Sequence, residues 1–238
     1  MEAIKFDGTA NPWLIYKWPK TEIITGSQLV VGRGQEAVFF KNGLPLDAFG
    51  PGTYSLTVNS LPLVQRISKP QSDDQSLFAA EIYFVNEIAW LDLMWSTNNL
   101  LQVFEPKLQT IVRVASHGRM GMRIDNTQLF LSQICDVLSN DAIENYNCVE
   151  KFLIELVLEN VKSGLANFIT NQKTSLAGIS AKNTALAAFI QQAIICKFKR
   201  LGIDVLNFSV ESIRVFEEDT EKLRDVLRRN AEFETLGS

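Results

Sequence analysis

One histidine and three cysteines among 238 residues leave little room for side-chain chemistry. Any catalytic triad built on imidazole would have to use His117. A metal centre with several histidine ligands is excluded within one chain. His117 lies in a stretch patterned as a strand, with no nucleophile elbow beside it. The cysteines, Cys135, Cys148 and Cys196, are odd in number, widely spaced and never form C-x-x-C, so they read as reduced thiols of a cytosolic compartment. Cys196, within Ala193-Ile-Ile-Cys196, reads as a small core hydrophobe. Also missing are a Walker A sequence and any apolar window of about 18 residues, the length a spanning helix needs. The first residues carry neither a basic n-region nor an apolar h-region, so no signal peptide is expected. The sequon Asn207-Phe-Ser209 therefore carries little meaning. Excess positive charge is absent too: the net charge is -4 and the pI about 5.2, which lacks the footprint of a nucleic-acid binder.

What is present is ordinary globular composition, 46% hydrophobic and 21% charged. The first half is patterned as β. Gln28–Val31 is apolar and β-branched, and Glu36–Lys41 leads into Asn42-Gly43, a strong hairpin signal before Leu44-Pro-Leu46. Gly50-Pro-Gly52 demands a tight turn, and Thr53–Val58 resumes an extended pattern. Ser68–Ser76 is polar and proline-containing, the clearest loop, and its Asp73-Asp74 reads as a solvated pair. Ala80–Val85 and Ile88–Trp95, separated by Asn86-Glu87, read as a second hairpin whose latter strand is apolar on both faces and hence central. Gly32-Arg-Gly34-Gln-Glu-Ala37 matches G-x-G-x-x-A. That fingerprint must open a helix, and here the β-rich Val38-Phe-Phe40 follows, so it reads as a turn between strands and no cofactor is expected.

Strict alternation predicts a long strand over Thr110–Ile124, bridging two halves of the sheet system. Helical spacing then takes over. One helix is expected over Thr127–Leu138. A second starts near Asn147, read as an N-cap with Glu150 three residues on. A third spans Ala181–Leu201 and is closed by Gly202 as the C′ residue. Ile203–Val215 is a final strand whose phase shifts at Ser212, the mark of a β-bulge. From Phe216 the chain becomes charged, acidic first and basic later, as suits a helix dipole. Phe216, Leu223 and Leu227 give a narrow apolar stripe, the way a coiled coil begins, and are the candidate oligomerisation residues.

Two surface candidates stand out. Arg113, His117, Arg119 and Arg123 share one face of the long strand. They form either an anion, small-ligand, lipid-headgroup or acidic-partner surface, which would make this a ligand-binding domain, or an exposed sheet face paired with acidic neighbours. Trp13, Tyr16 and Trp18, in Pro12-Trp-Leu-Ile-Tyr-Lys-Trp-Pro19, are either membrane-proximal or part of a first strand covering a core.

The whole pattern resembles the SPFH (stomatin/prohibitin/flotillin, or band-7) superfamily. The residues that carry the resemblance are Gln35-Glu-Ala-Val-Phe-Phe-Lys-Asn-Gly43, Gly50-Pro-Gly-Thr-Tyr54, the returning strand at Leu206–Val215 and the charged helix after it. The run Trp18–Val31 is similar to the bacterial virion-core-protein-like branch. The resemblance implies an α+β fold: a lead segment (1–20), a β-rich subdomain (21–108), an α/β subdomain (109–215) and a projecting or coiled-coil helix (216–238). It also implies a non-catalytic scaffold that homo-oligomerises and is recruited peripherally from the cytoplasm to the inner face of the cell membrane. Membrane-protein or phage-shock-type partners in a membrane-stress response are implied with it. Members of that branch often carry a C-terminal zinc-binding tail; no such ligand set is present in these residues, and no metal is expected.

Overall fold

The structure, a computed structural model, describes residues 2–8, 12–57, 77–88, 90–97, 101–105, 109–172, 179, 181–222, 224–225 and 228. The expected loop at Ser68–Ser76, with Asp73-Asp74, lies outside them. The fold is α+β, with a β-rich N-terminal region. The residues group into two compact units that are discontinuous in sequence. The first takes 1–90, 122–152 and 198–204; the second takes 91–121, 153–197 and 205–238.

In the first unit, β5 (Gln35–Lys41) and β6 (Leu44–Phe49) form the hairpin expected at Asn42-Gly43. Both turn residues have positive φ, 53° and 76°, the type I′ geometry that matches strand twist. β9 (Glu81–Asn86) lies on the other side of β5 and is covered in turn by β2 (Ile15–Lys17), giving an antiparallel order β2-β9-β5-β6. A second sheet has the order β1-β4-β7. Here β4 (Gln28–Val31) pairs parallel with β1 (Ala3–Lys5) and antiparallel with β7 (Gly52–Ser55). β3 (Glu22–Ile24) pairs with β8 (Leu77–Ala79). One core joins these pieces: Ile4, Ile23, Leu29, Phe39, Ile82 and Phe84 are fully buried within it. Helix α1 (Thr127–Val137) lies against β5 and β6, where Gln128 Nε2 donates to the Leu46 carbonyl at 2.8 Å. That second cover explains why β5 buries Ala37, Val38, Phe39 and Phe40 consecutively instead of alternating. Gly32–Gly34 is a turn entering β5, so no helix follows the glycines.

The second unit contains most of β12 (Thr110–Ile124), whose ends match the expected strand. Val112, Val114, Ser116, Gly118 and Met120 are buried while Ile111, His117 and Arg119 face out. β10 (Trp90–Ser96) and β11 (Leu101–Glu105) occupy the ends of the order β10-β12-β11, and β13 (Ile203–Val215) also pairs with β12. The expected hairpin between β9 and β10 is therefore overturned: β9 pairs with β2 and β5, and β10 with β12. Nor is β10 central. It stands at an end of that order, and its faces differ: Leu93 and Trp95 are buried, but Met94 between them is 66% exposed. β13 shows the expected phase shift, because Phe208 and Val210 are buried and the next buried residue is Ile213.

Helix α2 (Asn140–Ile143) precedes α3 (Tyr146–Gln172), which begins slightly earlier than expected. Its cap is Asn145, not Asn147. The Asn145 Oδ1 accepts from the Asn147 backbone N–H at 3.0 Å, and its carbonyl accepts from Cys148 and Val149. In the second unit α3 buries Leu153, Val157, Val161, Leu165 and Phe168, and α4 (Asn183–Lys199) buries Leu186, Ile190 and Ile194. The two helices meet closely at Gly164, where an added Cβ would stand 2.7 Å from Ile190 Cγ1.

Candidate functional site

The outward face of β12 carries the basic residues singled out from the sequence, and each has an acidic partner. In the second unit, Arg119 Nε stands 3.2 Å from Glu211 Oε1, and His117 Nε2 stands 3.9 Å from Glu211 Oε2. In the first unit, Arg123 meets Asp204 at 3.0 Å, and Lys199 bridges Asp125 at 2.6 Å and Asp204 at 3.0 Å. Hydrogen bonds from Lys199 and Arg123 hold the Asp204 carboxyl below its ordinary range. These pairs are solvent-exposed and contribute little to stability. They matter for function because an anion at this face would have to compete with carboxylates already in place.

Arg113 is different. Its guanidinium donates from Nε to Asp219 Oδ2 at 2.9 Å and from Nη2 to Asp219 Oδ1 at 3.0 Å, a bidentate pair. Nη2 also reaches Glu218 Oε2 at 2.9 Å, and the guanidinium lies 4.3 Å from the centre of the Phe216 ring. The Arg113 backbone N–H donates to Asp219 Oδ2 at 2.8 Å, and its carbonyl accepts from Phe216 N at 2.8 Å. Lys222 Nζ adds a contact to Asp219 at 3.2 Å. The Asp219 side chain is only 3% exposed. Sequence reasoning placed Asp219 in a generic acidic first turn and missed its partner, 106 positions away; no local signal could have found it.

The geometry fixes a pH dependence. Hydrogen bonds from Arg113 hold the Asp219 carboxyl far below its ordinary value of 3.8. A carboxylate depressed on folding stabilises the native state above its unfolded value and loses that contribution as pH falls through the window beneath it. The difference in urea midpoint between the wild type and Asp219→Asn is therefore expected to be constant from pH 7 to 5 and to shrink steadily between about pH 4 and 2. A difference that stays constant to pH 2 would show that Asp219 carries no such charge linkage.

Phe216, a candidate oligomerisation residue, thus lies beneath Arg113 at the entry to a helix starting at residue 217. Leu223 and Leu227 lie outside the described residues. Trp13, Tyr16 and Trp18 are half-buried and pack against the core of the first unit. Tyr16 stacks on Phe6 at 4.1 Å, and Trp13 meets the same ring edge-on at 4.8 Å.

Other titratable groups form local networks. Lys17 Nζ bonds Glu81 at 2.6 Å and lies over the Tyr83 ring. Nearby, burial pushes the Cys135 thiol up to about 11, with the Glu81 charge adding to it, which leaves a poor nucleophile. Burial, reinforced by Glu87, raises the Glu36 carboxyl, which accepts a hydrogen bond from Thr127. Cys196 corrects the sequence reading: it is exposed, because the buried stripe of α4 runs through positions 190, 194 and 198 and position 196 falls on the opposite side. Among the described residues no cluster of three or more His, Cys, Asp or Glu could hold a metal ion. No described helix is long and apolar enough to cross a membrane.

The α+β fold with its β-rich N-terminal region is consistent with that of an SPFH domain. Residues 15–231 match the family described as SPFH domain-Band 7 family, and the chain belongs to it. A curated relative is the "Uncharacterized protein YdjI" of Bacillus subtilis (strain 168). It is 21% identical over 235 residues, which is 98% of this chain and 69% of that protein. As a class, SPFH domains are membrane-associated scaffolds and generally not enzymes.

Proposed function

We propose that this chain is a non-catalytic scaffold whose copies self-associate through the helix that begins after Phe216 and gather partner proteins at a membrane surface. Family membership across 15–231, spanning both units, carries this reading. Two observations support it. The cations on the β12 face are matched by carboxylates, so that face is built as structure more than as a binding site for a free anion. The terminal helix starts from a fixed point on the sheet. Contact with the membrane is peripheral, at the inner face of the cell membrane, and the partners are membrane proteins or phage-shock-type proteins of a membrane-stress response.

Sedimentation velocity over a hundredfold concentration range, paired with co-pelleting on vesicles of anionic and zwitterionic lipid, tests the proposal. The expected result is a mass that grows with concentration and a pelleted fraction above the lipid-free control. A single monomeric species throughout, with no pelleting on either vesicle, would refute it. In the same assay, Trp13→Ala/Trp18→Ala separates direct contact by the aromatic run from contact elsewhere.

A further inference from the structure

At residue 113 the sheet stops being only a sheet. Arg113 pairs across to Gln102 on β11, but its own backbone N–H and C=O point the other way, to Asp219 and Phe216. An antiparallel residue sends both backbone groups to the same side, so Arg113 is flanked by β11 on one side and by the strand-to-helix turn on the other. Past Val215 the ladder would need another strand residue to receive the Arg113 N–H. The chain instead turns at Phe216, whose carbonyl accepts from the Asp219 and Thr220 N–H groups and opens the helix. The Asp219 carboxylate then takes the place of the missing strand carbonyl. It sits within the helix's first turn, where negative charge is favoured.

We infer that Arg113 and Asp219 form a clasp that fixes the direction in which the C-terminal helix leaves the sheet, and that self-association through that helix depends on it. The inference rests on the scaffold reading for its second half only. Rotation of the helix about the Phe216 turn must pull the Asp219 carboxylate away from the Arg113 backbone N–H and from the guanidinium. Asp219 is 3% exposed with the pair closed, and breaking the pair costs its carboxylate two charge-assisted hydrogen bonds from the guanidinium. Glu218 and Lys222 face the same centre, but their side chains are 71% and 67% exposed, so water replaces them readily. Phe216 under the guanidinium supplies a flat seat that a lysine cannot use in the same way. The arrangement makes Arg113 a positioning residue: it acts through the path of the chain.

The test uses the full chain as wild type, Arg113→Ala, Arg113→Lys and Asp219→Asn, and reads two things on each. Hydrogen exchange by mass spectrometry reports a peptide covering residues 214–222 against one covering α1, and sedimentation reports the apparent dissociation constant. In Arg113→Ala and Asp219→Asn, exchange over residues 216–222 is expected to speed up about tenfold or more with α1 unchanged. Their self-association is expected to weaken by at least about tenfold, with Arg113→Lys between them and the wild type. Unchanged exchange at residues 216–222 in both variants overturns the clasp. Faster exchange with wild-type association overturns the coupling to assembly. A wild type that never associates defeats the scaffold reading and the coupling with it, while the exchange arm still decides the clasp. Loss of protection in α1 as well would mean general unfolding, and would count against a local device.

Discussion

Alanine at position 118 is expected to lower the apparent melting temperature by roughly 6–12 °C, read by circular dichroism, because about 3 kcal/mol of strain is forced into a packed strand. Gly118 is buried in β12. A Cβ there would overlap the Ser209 carbonyl oxygen and stand 2.7 Å from Trp95 Cζ2. Neither can give way cheaply. Ser209 is backbone of β13, and its Oγ also receives the Arg119 N–H at 3.2 Å. Trp95 is 1% exposed and lies flat on Phe208, with ring centres 5.4 Å apart and planes 5° from parallel. Gly118 is the gap into which that slab fits. Gly50→Ala is the control, since a Cβ at Gly50 meets nothing within 4 Å. It should stay within about 0.5 kcal/mol of the wild type. A Gly118→Ala protein that melts as the wild type does would show that β13 and Trp95 do not close over this position.

A loss of similar size is expected for Gly202→Ala, which acts in the first unit and for two reasons together. Gly202 ends α4 with φ at +72°, a conformation that costs an L-residue about 1–2 kcal/mol. Its carbonyl accepts from the Asp125 and Asn126 N–H groups, at 2.9 and 3.0 Å, and so draws the turn onto the start of α1. A Cβ would overlap the Asn126 carbonyl and approach the Phe130 N at 3.0 Å. Asn126 is also the cap of α1, its Oδ1 accepting from Leu129 N at 2.9 Å, so any shift there loosens a second helix end. Gly26→Ala separates the two costs. Gly26 has φ at +89° but open space around it, so it should show the backbone cost of about 1 kcal/mol alone. Equal denaturation midpoints for the two variants would mean that the close approach at Gly202 contributes nothing.

Where one physical signal acted within a few residues, the sequence was readable. Alternation alone placed both ends of β12, because a strand with one buried face must repeat every two residues. Asn42-Gly43 and Gly202 were found because few residues tolerate their backbone angles. The β9–β10 pairing failed because two apolar runs joined by Asn86-Glu87 satisfy hairpin rules locally, while β5 and β12 offer each run a better partner far along the chain. The cap of α3 slipped from Asn145 to Asn147 because either asparagine can cap, and position relative to the first turn decides. Of the candidate surface, the shared face of Arg113, His117, Arg119 and Arg123 was legible and their partners were not. Glu211 and Asp204 reach them through strand pairing, and Asp219 through a turn, none of which leaves a trace in neighbouring residues.

The clasp also restricts how this chain can vary over evolutionary time. A change at position 113 alone removes the guanidinium that the Asp219 carboxylate pairs with, and a change at 219 alone leaves the Arg113 Nε–H and backbone N–H without their acceptor. Each single step is expected to carry a cost. Two positions more than a hundred residues apart are thus expected to change together, so long as the helix keeps this direction.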